Sequence, residues 1–315
     1  MKKKSKFDPS SFAIIGAGPV GCIVAAFLAK GGYDVVLCDV IPDLVAPAVD
    51  RGIIIEGAEN LTQRVRSTCT SVDELSDVNP DAIFITVKAN VLPLIVSAIE
   101  DFYREGMVVV SWQNGIDTEL ELAKILGKKA SMRAVVNYGC GLLGPAHVKM
   151  PFHHPPHYIQ ELDPDSRELA VGIAEALTRG GLETRHTDQI VSMVWRKSIM
   201  NASMNPVCAV TGLTMAQAMN DPIIFETVDS LVKECIQVAR ANEISLGWDY
   251  YTHAMDYMRH AGDHKPSMLT DIENRRLTEI DFINGKFVEY GDRAGVATPY
   301  NTTLRSLVKG LQSKF

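Results

Sequence analysis

Residues Gly16-Ala17-Gly18-Pro19-Val20-Gly21 read G-x-G-x-x-G, and their setting constrains the fold more than any other feature of the chain. They follow a short apolar run, Phe12–Ile15, that reads as a buried strand. They open an Ala-, Leu- and Val-rich stretch, Val20–Lys30, that reads as a helix ended by Gly31-Gly32. A second strand over Asp34–Val40 completes a βαβ unit. In such a unit Gly16 permits the tight turn, Gly18 lets a pyrophosphate approach the backbone, and Gly21 lets helix and strand pack closely. The helix that opens at Val20, with Pro19 just before it, offers its N-terminal N–H groups and partial positive charge to phosphates, so Pro19 and Val20 join the glycines as cofactor-binding candidates. The competing reading is an ordinary strand–helix turn, and the flanking elements weigh against it.

Asp39 stands at the end of the second strand, 18 residues after Gly21. A carboxylate there accepts hydrogen bonds from ribose hydroxyls and repels a 2′-phosphate. The next arginine is Arg51. This favours NAD over NADP, against the plainer reading of a solvated turn aspartate.

Strand and helix signals keep alternating after the turn. Asp81–Val87 and Met107–Ser111 read as strands, each followed by a helical pattern, over Val91–Tyr103 and Thr118–Leu126. Alternation of this kind predicts a doubly wound parallel sheet of Rossmann type with helices on its faces. Residues 132–162 read as strands and turns, antiparallel additions to the same sheet, and a helix over Ser166–Arg179 closes this half. From about Asp188 the helical period dominates, over Ile190–Met204, Ile223–Asn242, Tyr250–Arg259, Met268–Ile283 and Asn301–Gln312. The expectation is an α/β chain of two domains: a dinucleotide-binding sheet over 1–187 and an all-α substrate and dimerisation domain over 188–315.

Composition narrows the function classes. With 315 residues, 46% hydrophobic, each half can bury a core. A net charge of −7 provides no surplus to neutralise phosphates along a nucleic acid. The Lys2-Lys3-Lys4 run lacks a following apolar region, so the first ten residues read as a loose arm rather than a signal peptide. No stretch approaches 18 uninterrupted apolar residues, which speaks against a membrane span. The six cysteines are scattered, with no C-x-x-C pair; this suits reduced thiols and a cytoplasmic setting. His153, His154 and His157 cluster, but the intervening Pro155-Pro156 excludes a helix, so no metal site is expected there.

The helical half carries longer patterns. Trp195–Pro206, reading WRKSIMNASMNP, resembles the W-x-K-x₃-N-x₃-N signature of ketopantoate reductases. His264–Gly285, reading HKPSMLTDIENRRLTEIDFING, resembles the family's second signature, and Gln113-Asn114-Gly115 and Lys88-Ala89 resemble its N-G turn and K-A pair. The resemblance runs from about Phe12 to about Leu311. It implies that Lys197 is the general acid and that Glu279 tunes it and touches substrate and cofactor. It further implies that Asn201, Asn205, Ser267 and Asn114 bind substrate, and that Asn114 and Lys88 also meet the cofactor, in a homodimeric NADP enzyme. Two departures stand out. Asp39 occupies the region of an arginine that would hold a 2′-phosphate, and Val91 stands near the place of the family's glutamine. The first brings in NAD-using relatives that resemble D-2-hydroxyacid dehydrogenases.

The residues suit that chemistry without the resemblance. Reduction of a ketone puts negative charge on the carbonyl oxygen, which a nearby ammonium stabilises and then protonates. Lys197, Asn201 and Asn205 recur at i, i+4 and i+8, so on a helix they line one face. A solvated lysine with two tolerated asparagines is the plain alternative, although asparagine is a poor helix former. On the expected helix Glu279 shares a stripe with Ile272 and Ile283, where a carboxylate needs a partner, either Lys197 or Arg275. Ser267 reads equally as a helix N-cap. A 2-keto acid reductase, a D-2-hydroxyacid dehydrogenase and a nucleotide-binding sensor without turnover all remain open at this level.

Overall fold

The computed structural model describes residues 7–315, so the Lys2–Lys4 run lies outside the described residues. The chain forms two compact units, one running up to Gln113 and over Asp117–Ile190, the other made of Asn114–Ile116 and Val191–Phe315. The first contains β1 (Ser11–Ile15), α1 (Pro19–Lys30), β2 (Asp34–Cys38), α2 (Pro42–Asp50), β3 (Ile53–Gly57), β4 (Leu61–Gln63) and β5 (Ser67–Cys69). It continues with α3 (Leu75–Val78), β6 (Ala82–Ile85), α4 (Leu92–Glu100), β7 (Val108–Ser111), α5 (Thr118–Leu126) and β8 (Ser131–Val135). The last members are β9 (Tyr138–Gly144), β10 (His147–His153), β11 (His157–Glu161), α6 (Arg167–Gly180) and β12 (Thr184–His186).

Eight strands form the main sheet in the order β12-β11-β8-β7-β6-β1-β2-β5. From β5 to β8 the pairing is parallel throughout, and only β11 runs antiparallel to β8. The chain leaves β1 in one direction for β2 and β5, then returns to the other side at β6. The strand order therefore switches between β1 and β6, the place where open α/β sheets bind ligands at their carboxyl ends. The expected parallel sheet is present. The expectation for residues 132–162 needs correction: β9 and β10 do not join this sheet but form a second one, β4-β3-β10-β9.

Helix α1 explains the second sheet. Gly21 to Leu28 are all buried, so the helix has no solvent face. One side packs on the main sheet; the other shares a core with Ile53, Ile55, Val148 and Met150 of β3 and β10. A helix apolar all round needs cover on both sides. The arm also needs correction where it is described. Asp81 accepts hydrogen bonds from the backbone N–H and hydroxyl of both Ser10 and Ser11, at 2.8 to 3.2 Å. Phe7 lies against Gly172 of α6. The stretch from Phe7 to Ser10 is thus tied down rather than loose.

The second unit is helical: α7 (Ile190–Thr211), α8 (Met215–Asn220), α9 (Pro222–Ala241), α10 (Tyr250–His260), α11 (Ser267–Glu273), α12 (Asn284–Ala294) and α13 (Pro299–Gln312). The single helix expected over Met268–Ile283 is not formed. Helix α11 stops at Glu273, Arg275 takes a left-handed φ of 53°, and the Arg276 N–H donates back to the Asp271 carbonyl at 2.8 Å. That residue ends the helix as a glycine would. The Thr278 N–H then donates to Gln312 Oε1 at 3.0 Å, and the chain turns through Glu279 to Ile283 before α12 begins.

Candidate active site

The glycine turn sits at the carboxyl end of β1. Gly16 has φ +109°, and a Cβ there would lie 2.9 Å from the Thr86 hydroxyl and from a Val87 methyl. A Cβ on Gly21 would lie 1.8 Å from the Gly16 carbonyl oxygen. Gly18 differs: a Cβ there meets nothing within 4 Å. Two glycines are therefore required by packing, and the middle one borders open space. No side chain caps α1, which starts at Pro19 and Val20 beside that space. An open approach to an uncapped helix N-terminus fits a dinucleotide pyrophosphate. The Thr86 hydroxyl braces the turn by donating to the carbonyls of Ile15 and Gly16, at 2.9 and 3.0 Å. Sequence reasoning missed this residue, because a threonine ending a strand carries no signal of its own.

Asp39 is not a free surface carboxylate. It accepts the Ala17 N–H at 2.8 Å through one oxygen and the Ile41 N–H at 3.1 Å through the other. A carboxylate has about four acceptor positions, so ribose hydroxyls can still bind. Lys88 is half-buried just after β6, before a short 3-10 turn over Ala89–Val91. Gln113 Nε2 donates to the Val87 carbonyl at 2.6 Å and ties the ends of β6 and β7 together.

In the helical unit, α7 carries the Lys197, Asn201 and Asn205 face. Lys197 and Asn201 are half-buried, and Asn205 is buried. Their neighbours fix the helix. Trp195 packs edge-on against Phe287 and Tyr290 of α12, with centroids 5.4 and 4.9 Å apart. The Tyr250 hydroxyl donates to the Arg196 carbonyl. Burial, followed by the nearby Cys235, pushes the Tyr250 phenol well up, so it stays a donor.

Glu279 is only 6% exposed but sits in a turn, not on a helix, so the stripe with Ile272 and Ile283 does not exist. Three residues later the Phe282 carbonyl accepts the Ile116 N–H at 2.9 Å. Gly115, with φ +105°, brings its backbone against Phe282; a Cβ would lie 2.9 Å from that residue's own Cβ. The Asn114-Gly115-Ile116 segment and the Glu279 turn are thereby held in one unit with α7. Ser267 is the first residue of α11 and exposed, and Pro266 takes the capping position, so Ser267 is not an N-cap.

Two other clusters have different partners. The Asn137 N–H donates to His157 Nδ1 at 3.0 Å, the His157 and His153 Nε2 atoms are 3.2 Å apart, and His153 Nδ1 meets Glu59 at 3.0 Å. Every ring nitrogen of the pair is used, and His154 stacks on Phe152 instead. Glu161, His186 and Asp188 have a metal-like spacing, but Arg167 grips Asp188 through both guanidinium N–H groups, at 2.7 and 3.2 Å. All six cysteines are free thiols. Burial pushes those of Cys22 and Cys208 up to about 12, which leaves them inert.

A doubly wound sheet with an open glycine turn at its switch point, followed by a helical unit with a lysine and asparagine face, defines a nicotinamide-dependent oxidoreductase. The chain belongs to the ketopantoate reductase family: the PanE/ApbA ketopantoate reductase pattern matches residues 12–163, and the C-terminal pattern of the same family matches residues 189–312. A 2-dehydropantoate 2-reductase of Archaeoglobus fulgidus is 29% identical, over 95% of this chain and 97% of its own. A PanE/ApbA family ketopantoate reductase of Ralstonia eutropha has the same fold, with a TM-score of 0.85, 25% identity, and 96% and 99% of the two chains covered. A D-mandelate dehydrogenase solved with NADH and anilino(oxo)acetate is equally similar in fold, with a TM-score of 0.85, 27% identity, and 96% and 98% covered.

Proposed function

We propose that this chain reduces the ketone of 2-dehydropantoate (ketopantoate) to D-pantoate, with Lys197 as proton donor. The supporting observation is the arrangement of the helical unit, in which the half-buried Lys197, the Asn201 and Asn205 amides, the buried Glu279 and Asn114 share one compact body. A nicotinamide dinucleotide bound at the glycine turn supplies the hydride. The protein's own residues do the rest. The Lys197 ammonium stabilises the developing alkoxide and gives it a proton. Asn201, Asn205, Asn114 and Ser267 hold the carboxylate and hydroxyl of the substrate, and Glu279 keeps the lysine charged. Lys88 and Asn114 attend the cofactor.

Asp39 favours NAD, because its carboxylate already faces the turn through Ala17 and repels a 2′-phosphate. The scattered reduced cysteines fit a cytoplasmic setting, and a homodimer through the helical unit is the proposed assembly. The test is a steady-state panel of ketopantoate, 2-ketoisovalerate and phenylglyoxylate with NADH and NADPH. The highest kcat/KM is expected on ketopantoate with NADH. A preference for phenylglyoxylate would instead make the chain a D-2-hydroxyacid dehydrogenase, in line with its likeness in fold to D-mandelate dehydrogenase. Cofactor binding with no absorbance change on any keto acid would remove turnover altogether.

A further inference from the structure

Helix α7 has a gap in its backbone ladder. In a regular helix the Ala202 carbonyl would accept the N–H of residue 206, but that residue is Pro206 and has none. Ala202 is fully buried, so water cannot take the place of the missing donor. The donor comes from elsewhere in the unit: Asn284 Nδ2, at the start of α12, donates to the Ala202 carbonyl at 2.9 Å. The same amide donates to Asn301 Oδ1 at 2.8 Å. Asn301 Nδ2 in turn donates to Glu234 Oε1 at 2.7 Å. The Glu234 carboxylate also accepts the N–H groups of Tyr300 and Asn301, at 3.0 and 2.8 Å, in the first turn of α13. Both amide orientations are fixed, because a carbonyl and a carboxylate can only accept. Asn284 and Asn301 are fully buried and Glu234 nearly so.

We propose that Glu234, Asn301 and Asn284 are positioning residues for the reduction, acting through Pro206 on the segment of α7 that carries Lys197 and Asn201. The inference rests on the proposed role of Lys197. Any residue but proline at 206 would satisfy Ala202 within the helix and make the relay unnecessary. A proline instead bends a helix, and the bend is set by whatever replaces the lost bond. Here the replacement is anchored through α12 and α13 to a buried carboxylate on α9. It ends one residue from Asn201 and five from Lys197, so it sets the direction in which the lysine leaves the helix. Asn284 belongs to the ING segment that resembles the family signature, yet neither spacing nor composition assigned it a role.

The test separates position from stability. Asn284→Ala is expected to lower both the melting temperature and kcat, the latter at least tenfold, with cofactor Kd unchanged. Adding Pro206→Ala restores the missing N–H to Ala202 but leaves the buried Asn301 Oδ1 without its donor, so the melting temperature should recover in part while kcat stays at least tenfold low. Pro206→Ala alone keeps every carbonyl satisfied and should fold, again with kcat at least tenfold low. If kcat returns to within twofold of the parent in the double variant, or if Pro206→Ala alone has parental kcat, the relay is structural and the proposal is overturned. Lys197→Ala in parallel tells the two ideas apart. A slow Lys197→Ala beside a fast Pro206→Ala removes the positioning role only. A fast Lys197→Ala removes the proton donor first.

Discussion

At the level of single residues, the three glycines of the turn do different work, and substitutions should separate them. Gly21→Val forces a Cβ onto the Gly16 carbonyl and should cost stability, on the order of 1–3 kcal/mol or more, read as a lower melting temperature. Gly18→Ala adds a Cβ that meets nothing within 4 Å, so the fold should keep its melting temperature while cofactor affinity falls, read by titration. Equal thermal losses in the two variants would contradict this division. Lys197→Ala should lower kcat by about 100-fold or more, the usual loss of a general acid. A near-normal rate would take the proton from another group. Asp39→Arg should move preference toward NADPH, visible as a reversed ratio of kcat/KM; because Asp39 also holds the Ala17 N–H, some affinity for both cofactors should go with it. The glycine pattern and Asp39 were legible in the sequence because turn chemistry and strand ends leave residue-specific marks. Thr86 was not, since its role depends on which strand lies beside β1.

At the level of elements, the apolar period predicted most helices because most have one buried stripe; α1, buried from Gly21 to Leu28, was marked by its composition instead. The period failed where two elements share a polar stretch. The run from Met268 to Ile283 kept a helical spacing of apolar residues, yet Arg275 in a left-handed conformation breaks it. Glu279 therefore sits in a turn and not on the helix its spacing suggests, although it is buried, as a carboxylate on an apolar stripe would be. The second sheet was also invisible. Its strands are three to seven residues long, and the β9–β10 pairing slips register at two places, which destroys the alternation a strand is recognised by. Ser267 gives this scale its prediction. Because Pro266 rather than Ser267 caps α11, Ser267→Ala should change stability by less than about 0.5 kcal/mol. If Ser267 binds substrate, the same variant should raise KM for the keto acid severalfold. A large thermal loss with unchanged KM would return the residue to a structural role.

For the whole molecule, acid should act through the N-terminal seam. Burial opposes ionisation of Asp81, but the backbone and hydroxyl donors of Ser10 and Ser11 outweigh it and hold the carboxyl below its ordinary 3.8. A group depressed by folding adds stability above its unfolded value and loses it as pH falls through the folded one. Asp81→Asn should therefore lower the melting temperature at neutral pH, by an amount worth about 1–3 kcal/mol, and the gap to the parent should shrink below pH 3.8. A gap independent of pH would mean the carboxylate charge is not what fastens Phe7–Ser11. The same wholeness applies to α1, clasped between two sheets. Ordering a loop on ligand binding costs affinity, and a loop held in place beforehand is spared part of that cost. Here the helix behind the loop is packed on its far side by β3 and β10. Cavities carved into that remote sheet, at Ile55 or Met150, should thus loosen nucleotide capture without touching a single group that contacts it.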